Sequence, residues 1–307
     1  MLSPKHLRHS FNHVLVIGKF YPPHQGHCLL IRNAAAAAQY VTVVVMASHV
    51  ESLPLEHRVA WLRTSFTSTP HVRVVGVMDD VPVDYEDETI WQAHIGLMRK
   101  GVLQADAQFG TTPEVDATFT SEDYGERMAK YFNATPVEVD VERNLVSVSG
   151  TAVRNDLIGQ WSFLPKATQM GLCHRIVIVG GESTGKTTLA QSLAKALRIR
   201  GGVYASTAFV PEYGREYNQL KLRIMQAKAR VQGQPEPSVF DCEWSSEEFV
   251  SIARMQTTWE HEAATQGSPH IICDTDVFAT MFWHKRYMGF DSIELSEFFS
   301  ELPSRSL

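Results

Sequence analysis

Gly18-Lys19-Phe20-Tyr21-Pro22-Pro23-His24-Gln25-Gly26-His27-Cys28 separates the apolar run His13-Val14-Leu15-Val16-Ile17 from the Ala/Leu-rich segment Leu29 to Ala38. A short β-branched run bounded by glycine reads as a buried parallel strand. Residues 29–38 carry helix formers. The stretch is therefore a strand, a glycine turn, a rigid Pro-Pro segment and a helix entered at Gly26-His27. A helix N-terminus offers free N–H groups and partial positive charge, which suits a phosphate. His24 and His27 add side-chain donors there, and Lys19 adds a cation.

Two histidines three apart also suit a metal pair, or are simply surface residues. Zinc needs further ligands, and no neighbouring Cys/His cluster supplies them. The full order Gly-x-Phe-x-Pro-x-His-x-Gly-His behind a strand is far more specific than either histidine alone. A second pattern, Val148-Ser149-Gly150-Thr151-Ala152-Val153-Arg154, enters another helix and offers a second phosphate-binding helix start.

The 307 residues suffice for two domains, and 44% hydrophobic content supports real cores. A net charge of −6 gives no global basic field for nucleic acid. Cys28, Cys173, Cys242 and Cys273 are scattered, which argues against a disulfide framework or zinc ribbon. No apolar run spans a bilayer, and Met1 to His9 lacks the apolar core of a signal peptide. The expectation is a soluble cytoplasmic protein without membrane or nucleic-acid partners; a homo-oligomer stays open.

Further strands are expected at 41–46, 72–77, 116–121 and 136–139, with helices at 55–66, 86–102 and 123–132. Trp91, Ile95 and Met98 form a stripe more in keeping with core packing, and Trp91 is kept as a substrate-binding candidate. Alternating strands and helices imply a doubly wound parallel sheet with ligands beyond the strands' carboxyl ends. The aperiodic stretch Trp161 to Leu172 reads as the junction. The expected division is a Rossmann-like domain over 1–163, a linker over 164–172 and a second α/β parallel-sheet domain over 173–307.

The second half opens on the strand His174 to Val179, followed by Gly180-Gly181-Glu182-Ser183-Thr184-Gly185-Lys186-Thr187 and a helix over 188–198. This is Gly-x-x-x-x-Gly-Lys-Thr in its required strand–helix context. Its backbone amides cradle phosphates, Lys186 reaches the β- and γ-phosphates, and Thr187 bonds Mg²⁺. His270-Ile271-Ile272-Cys273-Asp274 has the Walker B shape, with Asp274 placed to hold Mg²⁺. Asp276, two residues on, is a weaker candidate for the same cleft. Residues 203–210 are expected as a strand, 227–238 as a mobile loop and 246–266 as a helix capped at Ser245 or Ser246. The cluster Glu212-Tyr213-Gly214-Arg215-Glu216-Tyr217 reads by composition equally as an exposed turn or as a site.

Gly18–His27 resembles the first signature of the nucleotidyltransferase superfamily, and Ser149, Thr151 and Arg154 match its second, Ser-x-Thr-x-x-Arg. With the phosphate loop, the chain resembles the bifunctional NadR-type proteins, which pair a nicotinamide mononucleotide adenylyltransferase with a ribosylnicotinamide kinase. The resemblance covers nearly everything from Val14 onward. It implies NAD biosynthesis and salvage, with ATP, nicotinamide mononucleotide and ribosylnicotinamide as small-molecule partners and Mg²⁺ bridging phosphates. It further implies His24 and His27 at the ATP phosphates, and Lys19 and Arg154 neutralising developing charge. Gly18, Phe20, Gly26, Ser149 and Thr151 would complete that ATP site. Glu212, Tyr213 and Arg215 resemble the kinase family's substrate-side motif, and Asp274 would position the accepting hydroxyl and Mg²⁺.

About a dozen residues precede the first strand, so the helix-turn-helix that some relatives carry is not expected. The kinase pattern calls for a further strand and a lid beyond Phe299, so the second domain reads as C-terminally truncated, with weak or absent kinase activity expected. Two alternatives remain: a nucleotidyltransferase for a pantetheine phosphate, flavin or cytidylyl substrate, or a nucleotide-sensing module with an inactive kinase domain.

Overall fold

In a computed structural model, which describes residues 9–84 and 86–302, the chain divides between Gly171 and Leu172 into two units. In the first, the apolar runs form strands β1 (Phe11–Gly18), β2 (Ala38–Ala47), β3 (Val72–Met78), β4 (Ala117–Thr120) and β5 (Thr135–Glu138). All neighbours pair in parallel, in the order β3-β2-β1-β4-β5. The helices are α1 (Gln25–Ala37), α2 (Leu55–Ser65), α3 (Glu88–Phe109), α4 (Gly125–Phe132), α5 (Gly150–Asn155) and α6 (Lys166–Leu172).

Successive strand residues face opposite sides, and both sides are apolar. Val14, Val16, Val43 and Val45 pack with Ile31 of α1 and Leu62 of α2. Leu15, Val44 and Met46 pack with Trp91, Ile95 and Met98 of α3 and Met128 of α4. Ile31 and Leu62 are fully buried, each contributing about 1.5–3 kcal/mol of hydrophobic stabilisation. The strand order turns back between β1 and β4, so the crevice beyond their carboxyl ends is where a ligand belongs.

The second unit holds β6 (His174–Ile178), α7 (Lys186–Arg200), β7 (Phe209–Val210), α8 (Tyr213–Gln232), α9 (Ser246–Ala264), β8 (His270–Asp274), α10 (Val277–Met288) and α11 (Ile293–Glu301). Its parallel sheet runs β6-β8-β7. Both units are thus α/β with parallel sheets.

Three local expectations change. The stretch 161–172 is ordered: a 3₁₀ turn over Trp161–Phe163 leads into α6, and Trp161 is 1% exposed. Both pieces are too short to show a period. The strand expected over 203–210 shrinks to Phe209–Val210, because a 3₁₀ turn takes Gly202–Tyr204 and only Phe209 and Val210 pair with β8. Residues 227–232, expected in a loop, continue α8 until Gly233 ends it in the left-handed conformation.

Candidate functional sites

In the first unit, α1 starts at the end of the signature. His24 is its N-cap, and the two histidines satisfy each other: His27 N–H donates to His24 Nδ1 at 3.4 Å, and His24 N–H donates to His27 Nδ1 at 3.2 Å. The rings stack with centroids 3.6 Å apart. With both Nδ1 atoms accepting, each neutral ring carries its proton on Nε2, a donor suited to a phosphate oxygen. Burial, helped by the Arg143 cation, pushes His24 down to about 4. Burial, then His24 and Arg143, holds His27 well below the usual histidine range. Phe20 is buried and meets His27 edge-on at 4.8 Å, so it backs the histidine as a wall. Gly26 lies between the histidines in the first turn of α1.

The second signature docks on the first. Ser149 N-caps α5, its Oγ accepting from Ala152 N–H at 3.1 Å. Arg154 donates to the Tyr21 carbonyl at 2.6 Å and to Thr151 Oγ1 at 3.1 Å, with its guanidinium 4.5 Å from the Tyr21 ring centroid. Gly150 is required by this docking: a Cβ there would stand 2.8 Å from the Tyr21 carbonyl oxygen. Arg58 covers Tyr21 too, 4.3 Å from the centroid.

Lys19 is not a free cation. Its Nζ lies 2.9 Å from Glu51 Oε1, while fully buried Arg58 holds the other Glu51 oxygen at 2.6 Å. The Lys19 side chain is 60% exposed, so it is the solvent-facing member of this triad. Gly18 and Lys19 also line a cavity of about 450 Å³ with Asp79, Asp84, Trp91, His94 and Tyr124. Neither His24 nor His27 lines it. The signature therefore serves two places, its glycine side facing the cavity and its histidine side opening α1. Trp91 is 6% exposed in the core and also forms part of the cavity wall. His94, which sequence reasoning missed, donates toward Asp79 Oδ2 at 2.9 Å and joins two cavity residues.

In the second unit, Gly180 (φ 156°) and Gly185 (φ 86°) give the phosphate loop its turn; at Gly185, the N-cap of α7, a side chain would be strained. Ser183 adopts φ 60° and Thr184 donates to the Gly181 carbonyl at 2.8 Å. Lys186 Nζ folds back onto the same carbonyl at 2.6 Å. Glu182 is 61% exposed, with Arg286 at 3.9 Å, and lines the cavity beside the loop. Thr187 donates to Asp274 Oδ2 at 2.5 Å, while Asp274 Oδ1, on a residue 1% exposed, has no partner among the described residues. A buried carboxylate oxygen left open beside a phosphate loop fits a hard divalent cation.

The cluster 212–217 is the start of α8. Arg215 donates to Thr187 Oγ1 at 3.4 Å and to Glu212 Oε2 at 3.1 Å, so it joins the phosphate loop. Glu212, Gly214 and Arg215 line a cavity of about 410 Å³ with Gly180, Lys186, Trp244, Trp283 and Tyr287. Tyr213 does not line it; its ring packs on Trp259, 4.9 Å away. Asp276 is placed as the N-cap of α10, accepting from Ala279 N–H at 3.2 Å.

Two doubly wound units in this order, the first with a His-x-x-His helix start and the second with a phosphate loop, have relatives among known proteins. The trifunctional NAD biosynthesis/regulator protein NadR of Escherichia coli is 25% identical over 216 residues, 66% of this chain and 49% of the relative. Its counterpart in Salmonella typhimurium is 25% identical over 225 residues, 68% of this chain and 50% of that protein. The chain is homologous to NadR. It spans about half the length of these curated relatives. The crystal structure of NadR in complex with NR has the same fold, with TM-score 0.64 at 19% identity over 95% of this chain and 75% of that one. NadR in complex with NAD and AMP-PNP gives 0.61 at 20% identity over 94% and 76%. Residues 175–302 match a family described as an AAA domain. No helix among the described residues is long and apolar enough to cross a membrane.

Proposed function

We propose that this NadR homologue makes NAD in its first unit, by adenylyl transfer from ATP to nicotinamide mononucleotide, and phosphorylates ribosylnicotinamide in its second. The observation that carries the first assignment is the docking of Arg154, which also holds Thr151, on Tyr21: it joins the second signature to the first. An oxygen of the mononucleotide phosphate attacks the α-phosphorus of ATP. The bond from that phosphorus to the bridging oxygen breaks, and pyrophosphate leaves. The attacking phosphate is already anionic at neutral pH, so positioning and charge stabilisation suffice. Nε2–H groups of His24 and His27 donate to phosphate oxygens. Arg154 and Lys19 offset the negative charge that builds on the leaving pyrophosphate. The cavity walled by Trp91 and Tyr124 takes the mononucleotide's ring.

In the second unit, the phosphate loop and Lys186 hold the ATP phosphates, and the aromatic-walled cavity beside them takes the nucleoside. Mg²⁺ would supply positive charge to offset that of the transferring phosphate. Thr187 and Asp274 are the residues that would hold it. Arg215 orients Thr187, and Asp274 receives the accepting 5′-hydroxyl's hydrogen bond. The product is the first unit's substrate, which gives the pairing its metabolic logic. The test is NAD formation from mononucleotide and ATP, run beside ADP release with ribosylnicotinamide. Binding of ATP with no turnover in either assay would replace this reading with a sensing role.

A further inference from the structure

Trp244, which walls the second-unit cavity, is held from behind by a charged clasp. Lys221 of α8 places its Nζ 4.6 Å from the Trp244 ring centroid. The same ammonium lies 2.7 and 2.8 Å from the two Glu248 carboxylate oxygens and also donates to the Glu243 carbonyl. Its donors are thus directed to the residue before Trp244 and to a side chain four residues after it. Glu248 is itself tied down: it accepts from Ser245 N–H and from the Tyr217 hydroxyl, each at 2.9 Å, and closes the capping box of α9. Burial would raise the Glu248 carboxyl; Lys221, the Ser245 amide and Tyr217 outweigh it and leave it below the usual range.

On its other sides Trp244 meets Phe249 (5.2 Å) and Tyr287 (5.6 Å), so it is one wall of an aromatic-lined space that borders the phosphate loop. Lys221 is absent from that lining. A paired lysine only 18% exposed, stacked on the back of a cavity wall, contributes more than a surface charge does.

We propose that Lys221, through Glu248 and the Glu243 carbonyl, is a positioning residue that fixes Trp244 for the nucleoside, and that it governs nucleoside binding without touching the nucleotide. This rests on the kinase reading of the second unit. If Lys221 is replaced by Met, the indole loses its charged backing and its flanking backbone loses an anchor, while none of the partners lost belongs to the phosphate loop.

The test is calorimetric titration of the full chain with ribosylnicotinamide and, separately, with AMP-PNP. Lys221→Met should weaken ribosylnicotinamide binding on the order of tenfold and leave AMP-PNP within about twofold. In a Trp244→Ala background Lys221→Met should add nothing, because its effect passes through the indole. Glu248→Gln, which keeps the side chain's shape, should weaken ribosylnicotinamide several-fold in the same direction and serves if Lys221→Met does not fold. Unchanged ribosylnicotinamide binding in the folded lysine or glutamate variant overturns the inference alone. So do equal losses for both ligands, or effects of Lys221→Met and Trp244→Ala that multiply. If the wild-type chain binds AMP-PNP but no ribosylnicotinamide, the kinase reading falls and takes the inference with it.

Discussion

Arg154 donates to the backbone carbonyl of Tyr21 at 2.6 Å and lies over the same residue's ring, 4.5 Å from its centroid. Two motifs 133 residues apart in the chain are joined by this one side chain. The contact uses the planar face and one edge of a guanidinium, and neither survives replacement by a lysine ammonium. Arg154→Lys should therefore behave almost as badly as Arg154→Ala. The expected result is a fall in kcat for NAD formation on the order of 10²-fold in both, as for loss of a preorganised charge-stabilising group. A lysine variant with wild-type kcat would show that only charge is needed and that the stacking on Tyr21 is incidental.

His24 and His27 should matter in two separable ways. His27→Ala removes one Nε2–H donor and should lower kcat on the order of 10²-fold or more; unchanged turnover would end its assignment to the phosphates.

The second histidine effect is on stability. His24 titrates at about 4 in the folded chain against 6.5 unfolded. Between those values the unfolded state binds more protons, so stability is lost as pH falls from 6.5 toward 4. His13, buried in β1 and also lowered mainly by burial, adds to the loss with the same sign. The diagnostic is thus the difference between wild type and His24→Asn, which should show a shallower decline of the first unit's melting temperature over that window. Parallel declines would mean that His24 does not stay neutral on folding.

Lys186→Ala should abolish phosphorylation of ribosylnicotinamide and leave NAD formation from the mononucleotide nearly intact. Lys186 and its loop belong to the second unit, and the nucleotidyltransferase signatures belong wholly to the first. Sites with no shared partners give independent losses. If the folded variant lost both activities, a two-site enzyme would be the wrong description.

Much of this is legible in the chain because it is local. Val41 to Met46 announces a buried strand by composition, and each glycine-bearing turn announces the helix behind it. The rest depends on pairs distant in sequence. Lys19 looks like a free cation until Glu51 and Arg58 are brought to it. Arg215 looks like part of a polar turn until α8 carries it to Thr187. Tyr213 sits in the same run, but the helix turns it onto Trp259. Two-residue pairing at β7 leaves almost no periodic signal, so composition alone makes the strand over 203–210 too long. Ser245 is visible as a cap, but no spacing rule finds the lysine that clasps Glu248 from another helix.

Arg58 gives the last prediction. It is fully buried on α2, holds Glu51 at 2.6 Å, donates to the Lys19 carbonyl at 3.1 Å and backs the Tyr21 ring. Its guanidinium also donates through Nε to the Leu53 carbonyl at 2.9 Å. Removing one partner of a buried pair leaves an uncompensated charge, and the loss is about 3–5 kcal/mol. Arg58→Met should fall at the low end, because exposed Lys19 remains to neutralise Glu51. That same compensation draws Lys19 more firmly to Glu51 and away from the phosphates. The variant should therefore lose kcat as well as melting temperature, and Arg58→Met/Glu51→Gln should recover part of both by freeing Lys19. Recovery of stability without any recovery of kcat would show that Lys19 takes no part in the adenylyl transfer.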